Sequence, residues 1–209
     1  MSRLAPLLLT ALLLSWSGLS IVGCGSSEEQ PEETDEGRAI APALRQAEAG
    51  DIDGAIRSRR GVVDGDSGNL RARFELARLQ YEVGEASHFK ERRAARAAAA
   101  FAEQDRREEE QANRREATEH HARATPFYSA ARDNLRIVVD AEPDHHRIAW
   151  GYYLLMRCDL FFEEWESALE NIRSAIRHGR PTGPLLAQWK DFEQGLMSRV
   201  ELVQRGSGD

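Results

Sequence analysis

The feature that most restricts the fold of this chain is a long segment without aliphatic core residues. Residues 84–134 contain no Leu, Ile, Val or Met, and their large apolar side chains are Phe89, Phe101, Phe127 and Tyr128. Ala, Arg and Glu fill the rest, with opposite charges three and four positions apart, a pattern that favours a solvated helix. We therefore expect a long charged helix over about 86–124. The segment is either an extended second helix of one structural repeat followed by the first helix of the next, or an inserted arm. A sustained apolar heptad is missing from the segment, which disfavours a self-associating coiled coil.

The remainder of the chain also favours helix over strand. Ala, Leu, Arg and Glu fill long stretches, while Gly and Pro concentrate at a few positions. The length of 209 residues allows one domain with its own core. The net charge of −7 argues against nucleic acid as a partner. We expect an all-α protein.

The N-terminal residues have the layout of a secretory signal. Arg3 supplies a positive start, Leu7–Leu14 form an apolar run, and residues 15–23 are mostly smaller. The apolar part, residues 7–22, has 16 positions. Because a membrane-spanning helix needs roughly 20 apolar residues, a cleaved signal is a better interpretation than a permanent transmembrane anchor.

The end of this signal, Ile21-Val22-Gly23-Cys24, resembles the bacterial lipobox. In lipoproteins the signal, here residues 1–23, is removed and the cysteine becomes the acylated first residue, so the resemblance implies lipidation at Cys24, with palmitate among the acyl groups. Residue 25 is Gly rather than the Asp that retains many such proteins at the inner membrane. The resemblance then implies the outer membrane, with the protein facing the periplasm. The alternative is an ordinary signal peptide that ends beside a cysteine.

An acidic tether is expected after the lipidated cysteine, so that residues 24–37 link the lipid to the folded body. Residues 25–37 contain six carboxylates, no Lys or Arg, and no large apolar side chain. Such a segment cannot bury enough surface to order itself. The folded domain is expected over residues 38–205.

Internal spacing in that domain predicts a helical repeat. Gly50 and Gly84 are 34 positions apart, and residues 49–56 have the pattern of a turn followed by a helix with a small packing residue. Small and apolar residues recur at i, i+4 and i+7, which places them on one helix face. The three sets are Ala55, Arg59 and Val62; Ala131, Leu135 and Val138; and Ala168, Ile172 and Ala175. Arg59 departs from the apolar pattern.

These spacings resemble those of tetratricopeptide repeat (TPR) proteins, in about three to four degenerate units. The resemblance implies an all-α, TPR-like superhelix of stacked helical hairpins, here with one long charged helix. It also implies a protein or peptide partner on the concave surface of the stack. The helices are predicted at about 38–49, 52–64, 70–83, 86–124, 127–141, 145–159, 163–178 and 184–204.

The candidate metal ligands do not form a complete set. Asp64, Asp66 and Glu75 match three positions of a calcium loop, but the intervening positions do not, and an inter-repeat turn explains the same residues. The histidine pairs His120-His121 and His145-His146 are further candidates. Glu116 and His120 share one helix face, but that face offers no third ligand. We predict surface histidines and no metal site.

No residue pattern predicts catalysis. Cys158 is the one thiol that remains if Cys24 is acylated, and its apolar neighbours indicate a core residue rather than a nucleophile. A nucleophile elbow, a triad spacing and an isolated carboxylate pair are not evident in the sequence. We predict no catalytic residue and no cofactor, and hence a protein that is not an enzyme.

The sequence therefore predicts a lipid-anchored scaffold or adaptor in the bacterial cell envelope, monomeric rather than oligomeric. Two alternatives stay open at this point. The long charged helix would make the chain a self-associating structural protein of the envelope. Otherwise the chain is a non-catalytic accessory subunit of a cell-wall enzyme or of a secretion or pilus system.

Overall fold

The computed structural model describes Gln46, residues 50–141 and residues 147–206. The predicted signal, Cys24, the tether and most of the first predicted helix lie outside the described residues. The described part forms six α-helices. They are α1 (Ile52–Gly65), α2 (Leu70–Glu103), α3 (Arg107–Ala141), α4 (Ile148–Phe161), α5 (Trp165–Gly179) and α6 (Gly183–Gly206). None of these helices combines the length and the apolar character that a membrane crossing requires.

The helices stack in the order in which they occur along the chain. Successive helices pack on one another from α1 to α6, and α2 also touches α4 across the stack. Short connections between them make successive helices antiparallel hairpins. Over the described residues this confirms the predicted all-α stack of helical hairpins.

Local chemistry fixes where several helices begin and end. The Asp51 carboxylate accepts a hydrogen bond from the Gly54 N–H at 2.9 Å, and the Asn69 amide oxygen accepts one from the Ala72 N–H at 2.8 Å. These bonds satisfy N–H groups that the first turns of α1 and α2 would otherwise leave without a partner. Gly50 precedes α1 with φ of +83°, which only glycine adopts easily. The predicted turn at Gly50 is confirmed.

The predicted long helix over 86–124 is wrong in its bounds. The charged segment instead forms the distal parts of two helices, and the chain reverses at residues 104–106, where Asp105 has φ of +54°. The predicted breaks after residues 83 and 124 do not occur, because α2 continues through Gly84 and α3 through Pro126. Pairing with each other lets both helices bury part of a face, including Ala94 and Ala98 on α2.

Gly84 therefore does not have the role that its 34-residue spacing from Gly50 predicts. It lies inside α2, where a Cβ atom would be 3.0 Å from Cδ2 of Tyr128. The absence of a side chain allows the Tyr128 ring to lie against the helix backbone. The spacing matches a repeat period, but only Gly50 is a turn residue.

The alanine face that the repeat spacing predicts is confirmed. Ala55, Ala131 and Ala168 are each fully buried. Three apolar clusters surround these contacts, one between α1 and α2, one among α2, α3 and α4, and one among α4, α5 and α6. The three clusters follow one another along the stack, so each hairpin buries its apolar faces against its neighbours.

Candidate functional site

A groove of about 510 Å³ lies between α2 and α4. Its apolar part includes Phe74 and Leu154, which are buried, and Trp150, which is 47% exposed. Each helix supplies residues three, four and seven positions apart, so one face of α2 and one face of α4 form the two walls. The lining residues are Arg71, Phe74, Glu75, Arg78, Tyr81, Glu82, Arg147, Trp150 and Leu154.

Ion pairs around Glu75 hold the two walls together. Its carboxylate accepts a hydrogen bond from Nε of Arg78 at 3.0 Å and another from Nη1 of Arg147, which is at the start of α4. Burial raises the pKa of Glu75, but the bond from Arg78 and the positive charges of Arg78 and Arg147 outweigh burial and hold the pKa below its ordinary value. Arg78 also pairs with Glu82 on its own helix. Glu75 is therefore a charged structural link.

Arg59 places another positive charge at the end of the groove where Glu75 lies. It projects from α1 with no exposed surface, and its three guanidinium nitrogens have no hydrogen-bond acceptor within the described structure. Burial lowers its pKa, and the charges that act on it are those of Glu75, Arg78, Arg71 and Arg147. These four neighbours all line the groove. The guanidinium of Arg59 is thus a buried charge behind the groove wall.

Arg71 adds a second positive charge that has no partner among the described residues. It is half-buried on the first turn of α2, and its Nε is buried without an acceptor. Within residues 50–141 and 147–206 it makes neither a hydrogen bond nor an ion pair. Among the described residues, four arginines and two glutamates meet here, so their charges make this end of the groove positive.

A second cavity, of about 330 Å³, lies further along α2, and Glu85 is its central charge. The Glu85 carboxylate accepts hydrogen bonds from the hydroxyl of Tyr128, from Arg157 at 3.1 Å and from Arg92 at 3.2 Å. Burial raises the pKa of Glu85, but these donors and positive charges outweigh it and lower the pKa. Every polar partner of Glu85 belongs to α2, α3 or α4, so this network connects three helices.

The histidines of the α2–α3 hairpin form pairs with carboxylates. Nε2 of His120 lies 3.6 Å from Glu116, while Nδ1 of His121 lies 3.2 Å from Glu91, which also contacts His88 at 2.9 Å. In the part of the chain that the structure describes, no group of three or more side chains is placed to hold a metal ion. His145 and His146 lie outside that part.

The three residues that match positions of a calcium loop have different roles in the structure. Asp66 accepts a hydrogen bond from the Gly68 N–H at 3.1 Å and closes the turn between α1 and α2. Glu75 lies in the second turn of α2 and is paired with arginines in the groove. Asp66 is therefore a turn residue, as the sequence predicts, whereas the same interpretation is wrong for Asp64, which lies in the last turn of α1.

Cys158 is fully buried in α4, as the sequence predicts for a core residue. Burial raises the pKa of its thiol, so the nucleophilic thiolate is disfavoured at neutral pH. The neighbouring Asp159 is also buried and accepts hydrogen bonds of 2.7 Å from Ser167 and Asn171 on α5. Burial raises the pKa of Asp159 as well. The sequence analysis did not identify this polar link, which joins α4 to α5.

Comparison with known proteins gives little further information. No protein-family model matches the chain, and no curated protein matches it. Two solved structures of MamA are similar to it at 17% identity, and each covers 84% of this chain. One is the MamA RS-1 ArsTM double mutant, with a TM-score of 0.27 and 98% of its own chain covered. The other is MamA 41-end from Desulfovibrio magneticus RS-1, with a TM-score of 0.28 and 99% covered. Likeness at this level carries no information about function.

Proposed function

We propose that this chain is a lipid-anchored adaptor of the bacterial cell envelope, and that it binds a peptide segment of a partner protein in the groove between α2 and α4. The exposed Trp150 beside the buried Phe74 and Leu154 carries this proposal. Trp, Tyr and Arg are the residue types that contribute most to binding energy at protein interfaces. All three types line this one groove.

The size of the groove supports a segment rather than a whole domain as the bound element. Its volume of about 510 Å³ falls within the range of roughly 300–1,000 Å³ that is usual for ligand pockets. A peptide strand or one helical turn places a few side chains into such a space. Both walls are helices of a packed stack, so the groove exists before a partner binds and its formation costs little ordering entropy.

The anchoring part of the proposal is supported by the lipobox-like residues that end at Cys24. Dual or triple acylation gives stable attachment, and a tether of 13 residues reaches at most about 45 Å. The adaptor would act from the outer membrane, facing the periplasm, as a monomer without catalytic activity of its own. The buried Cys158 and the arginine-paired Glu75 and Glu85 are consistent with that role.

Site-specific photo-crosslinking in living cells tests the position of the binding surface. Trp150 and Ile137 are matched positions, because they are 47% and 45% exposed and only Trp150 lines the groove. Each would be replaced in turn by the photo-reactive residue benzoylphenylalanine in the full-length chain. We expect a discrete crosslinked protein from position 150 and none from position 137. Identical crosslinked products from both positions, or none from position 150, would rule out the groove as the binding surface.

A further inference from the structure

We propose that the groove between α2 and α4 selects peptide segments in which an acidic side chain stands beside a large apolar one. This inference rests on the proposed peptide-binding function and adds the chemistry of the partner. The apolar residue would lie against Trp150 and Leu154, and the carboxylate would lie at the end of the groove near Arg71.

Positive charge exceeds negative charge at that end of the groove among the described residues. Arg78 and Arg147 are paired with Glu75, and Arg78 also with Glu82. Arg59 and Arg71 then provide positive charge that no carboxylate of the described residues offsets by an ion pair. A carboxylate from a ligand would provide the counter-charge.

Arg59 and Arg71 differ in burial, and therefore in how each can act on a ligand. Placing a guanidinium where water cannot reach it is unfavourable unless acceptors compensate, and Arg59 has none in the described structure. Its nitrogens have no exposed surface, so Arg59 acts on a ligand through its field from behind the wall. Arg71 is half-buried at the wall itself and is placed to donate hydrogen bonds. A guanidinium and a carboxylate form short, charge-assisted bonds, often in pairs.

The positive charge at this site contrasts with the negative charge of the whole chain. The net charge of −7 makes the protein as a whole repel acidic peptides. A preference for an acidic peptide over a neutral one must therefore come from a local positive site. A basic peptide would be attracted to many parts of the surface, so binding of a basic peptide would identify no site.

Calorimetric titration of the full-length chain in nonionic detergent tests the inference with two defined probes. Each is a heptapeptide with a central phenylalanine, flanked on both sides by three glutamates in one peptide and by three glutamines in the other. We expect the glutamate peptide to bind at least about tenfold more tightly at low salt. High salt should reduce this preference, because it screens the charges.

Variants separate the charge from the apolar contact. Arg71→Gln should lower the preference for glutamate to about threefold or less. Arg60→Gln is the matched control, because Arg60 is exposed on α1 and does not line the groove, and it should keep the full preference. Trp150→Ala should weaken both peptides while leaving their ratio unchanged.

Failure of the inference and failure of the proposed function give different results. Equal affinities for the two peptides, both weakened by Trp150→Ala, would overturn the acidic preference and leave the groove as the binding surface. A full preference in Arg71→Gln would also overturn it. Affinities that do not respond to Trp150→Ala would exclude the groove as the binding surface. No measurable binding of the glutamate peptide at about 1 mM would overturn both the binding surface and the acidic preference.

Discussion

The ring of Tyr128 on α3 lies directly against Gly84 on α2, so close that a Cβ at position 84 would be 3.0 Å from the ring carbon Cδ2. Other contacts hold the ring in place. Its hydroxyl donates to Glu85, and the ring stacks on Phe161 with 4.2 Å between centroids. The contact between Gly84 and Tyr128 thus fixes how closely α2 and α3 approach each other at this level, away from the hairpin turn at residues 104–106.

Replacing Gly84 by alanine should therefore destabilise the protein. The added methyl group must displace a ring that has little freedom to move, and we expect a loss of about 1–3 kcal/mol in the free energy of unfolding. Gly195→Ala in α6 is the matched control, because a Cβ at that exposed position meets nothing within 4 Å. It should stabilise by about 0.5–1 kcal/mol through helix propensity alone. Chemical denaturation of both variants measures the difference, and stabilisation at both positions would contradict the close contact.

Replacing Arg59 by methionine should stabilise the protein. Methionine has a similar length and fills the same buried space without a charge, so we expect a gain on the order of 1 kcal/mol in the free energy of unfolding. Arg60→Met, at the exposed neighbouring position, should change it by less than about 0.5 kcal/mol. A clear loss of stability in Arg59→Met would show that the charge has a compensating partner.

Overpacking at Ala168 should be costly, whereas the same change in the charged hairpin should not be. Ala168→Leu inserts three carbon atoms at a fully buried helix contact and should cost about 1–3 kcal/mol. Ala97→Leu, on the half-exposed surface of α2, should change stability by less than about 0.5 kcal/mol. Helix propensity is nearly equal for the two residue types, so denaturant midpoints compare burial directly. Equal, small effects would contradict the alanine face of the stack.

The ion pairs of Glu75 should make stability depend on acidity. The folded-state pKa of Glu75 is below its unfolded value of 4.5, so the stabilisation is present above that pH and is lost as the pH falls through the folded-state pKa. Glu75→Gln should therefore be less stable than the wild type at pH 7 by about 1–3 kcal/mol, and the difference should shrink towards pH 3. Glu103→Gln, at the exposed end of α2, serves as the control. A difference that is constant between the two pH values would exclude charge as its cause.

Lipid anchoring depends on Cys24 if the lipobox resemblance is correct. Cys24→Ala should block acylation and leave an uncleaved or mislocalised precursor. Fractionation of cells, with mass spectrometry of the N-terminus, measures both properties. A variant that is still processed and still bound to the membrane through the same N-terminus would remove the lipoprotein proposal.

The stacked helices could be predicted because small residues recur at fixed spacing on their contact faces. Ala131 and Ala168 permit close approach of neighbouring helices, and the need for small residues at such contacts is visible as a spacing in the sequence. The reversal at residues 104–106 has no comparable sequence signal, since it contains neither Gly nor Pro and uses Asp105 in a left-handed conformation. Gly84 and Pro126, which normally mark helix ends, lie inside helices that tertiary packing holds continuous.

The groove could be predicted only in part. Arg59 stands out in the sequence as a charged residue in an apolar pattern, but nothing there indicates that Arg71, Arg78 and Arg147 gather in front of it. That arrangement depends on which face of α2 meets α4, and it is a property of the stack rather than of either helix. Trp150 belongs to the apolar residues of its helix, yet the structure leaves nearly half of it exposed.

The unequal lengths of the helices have a consequence for motion. α2 and α3 have 34 and 35 residues, but α4 has 14, so the far end of their hairpin has no third helix of the described set beside it. The three apolar clusters contain no residue between 84 and 123. This end should open and close on its own, and its amide hydrogens should exchange with solvent well before those around the groove. The hairpin tip then flexes as a separate unit, while the peptide-binding walls at its base keep their shape.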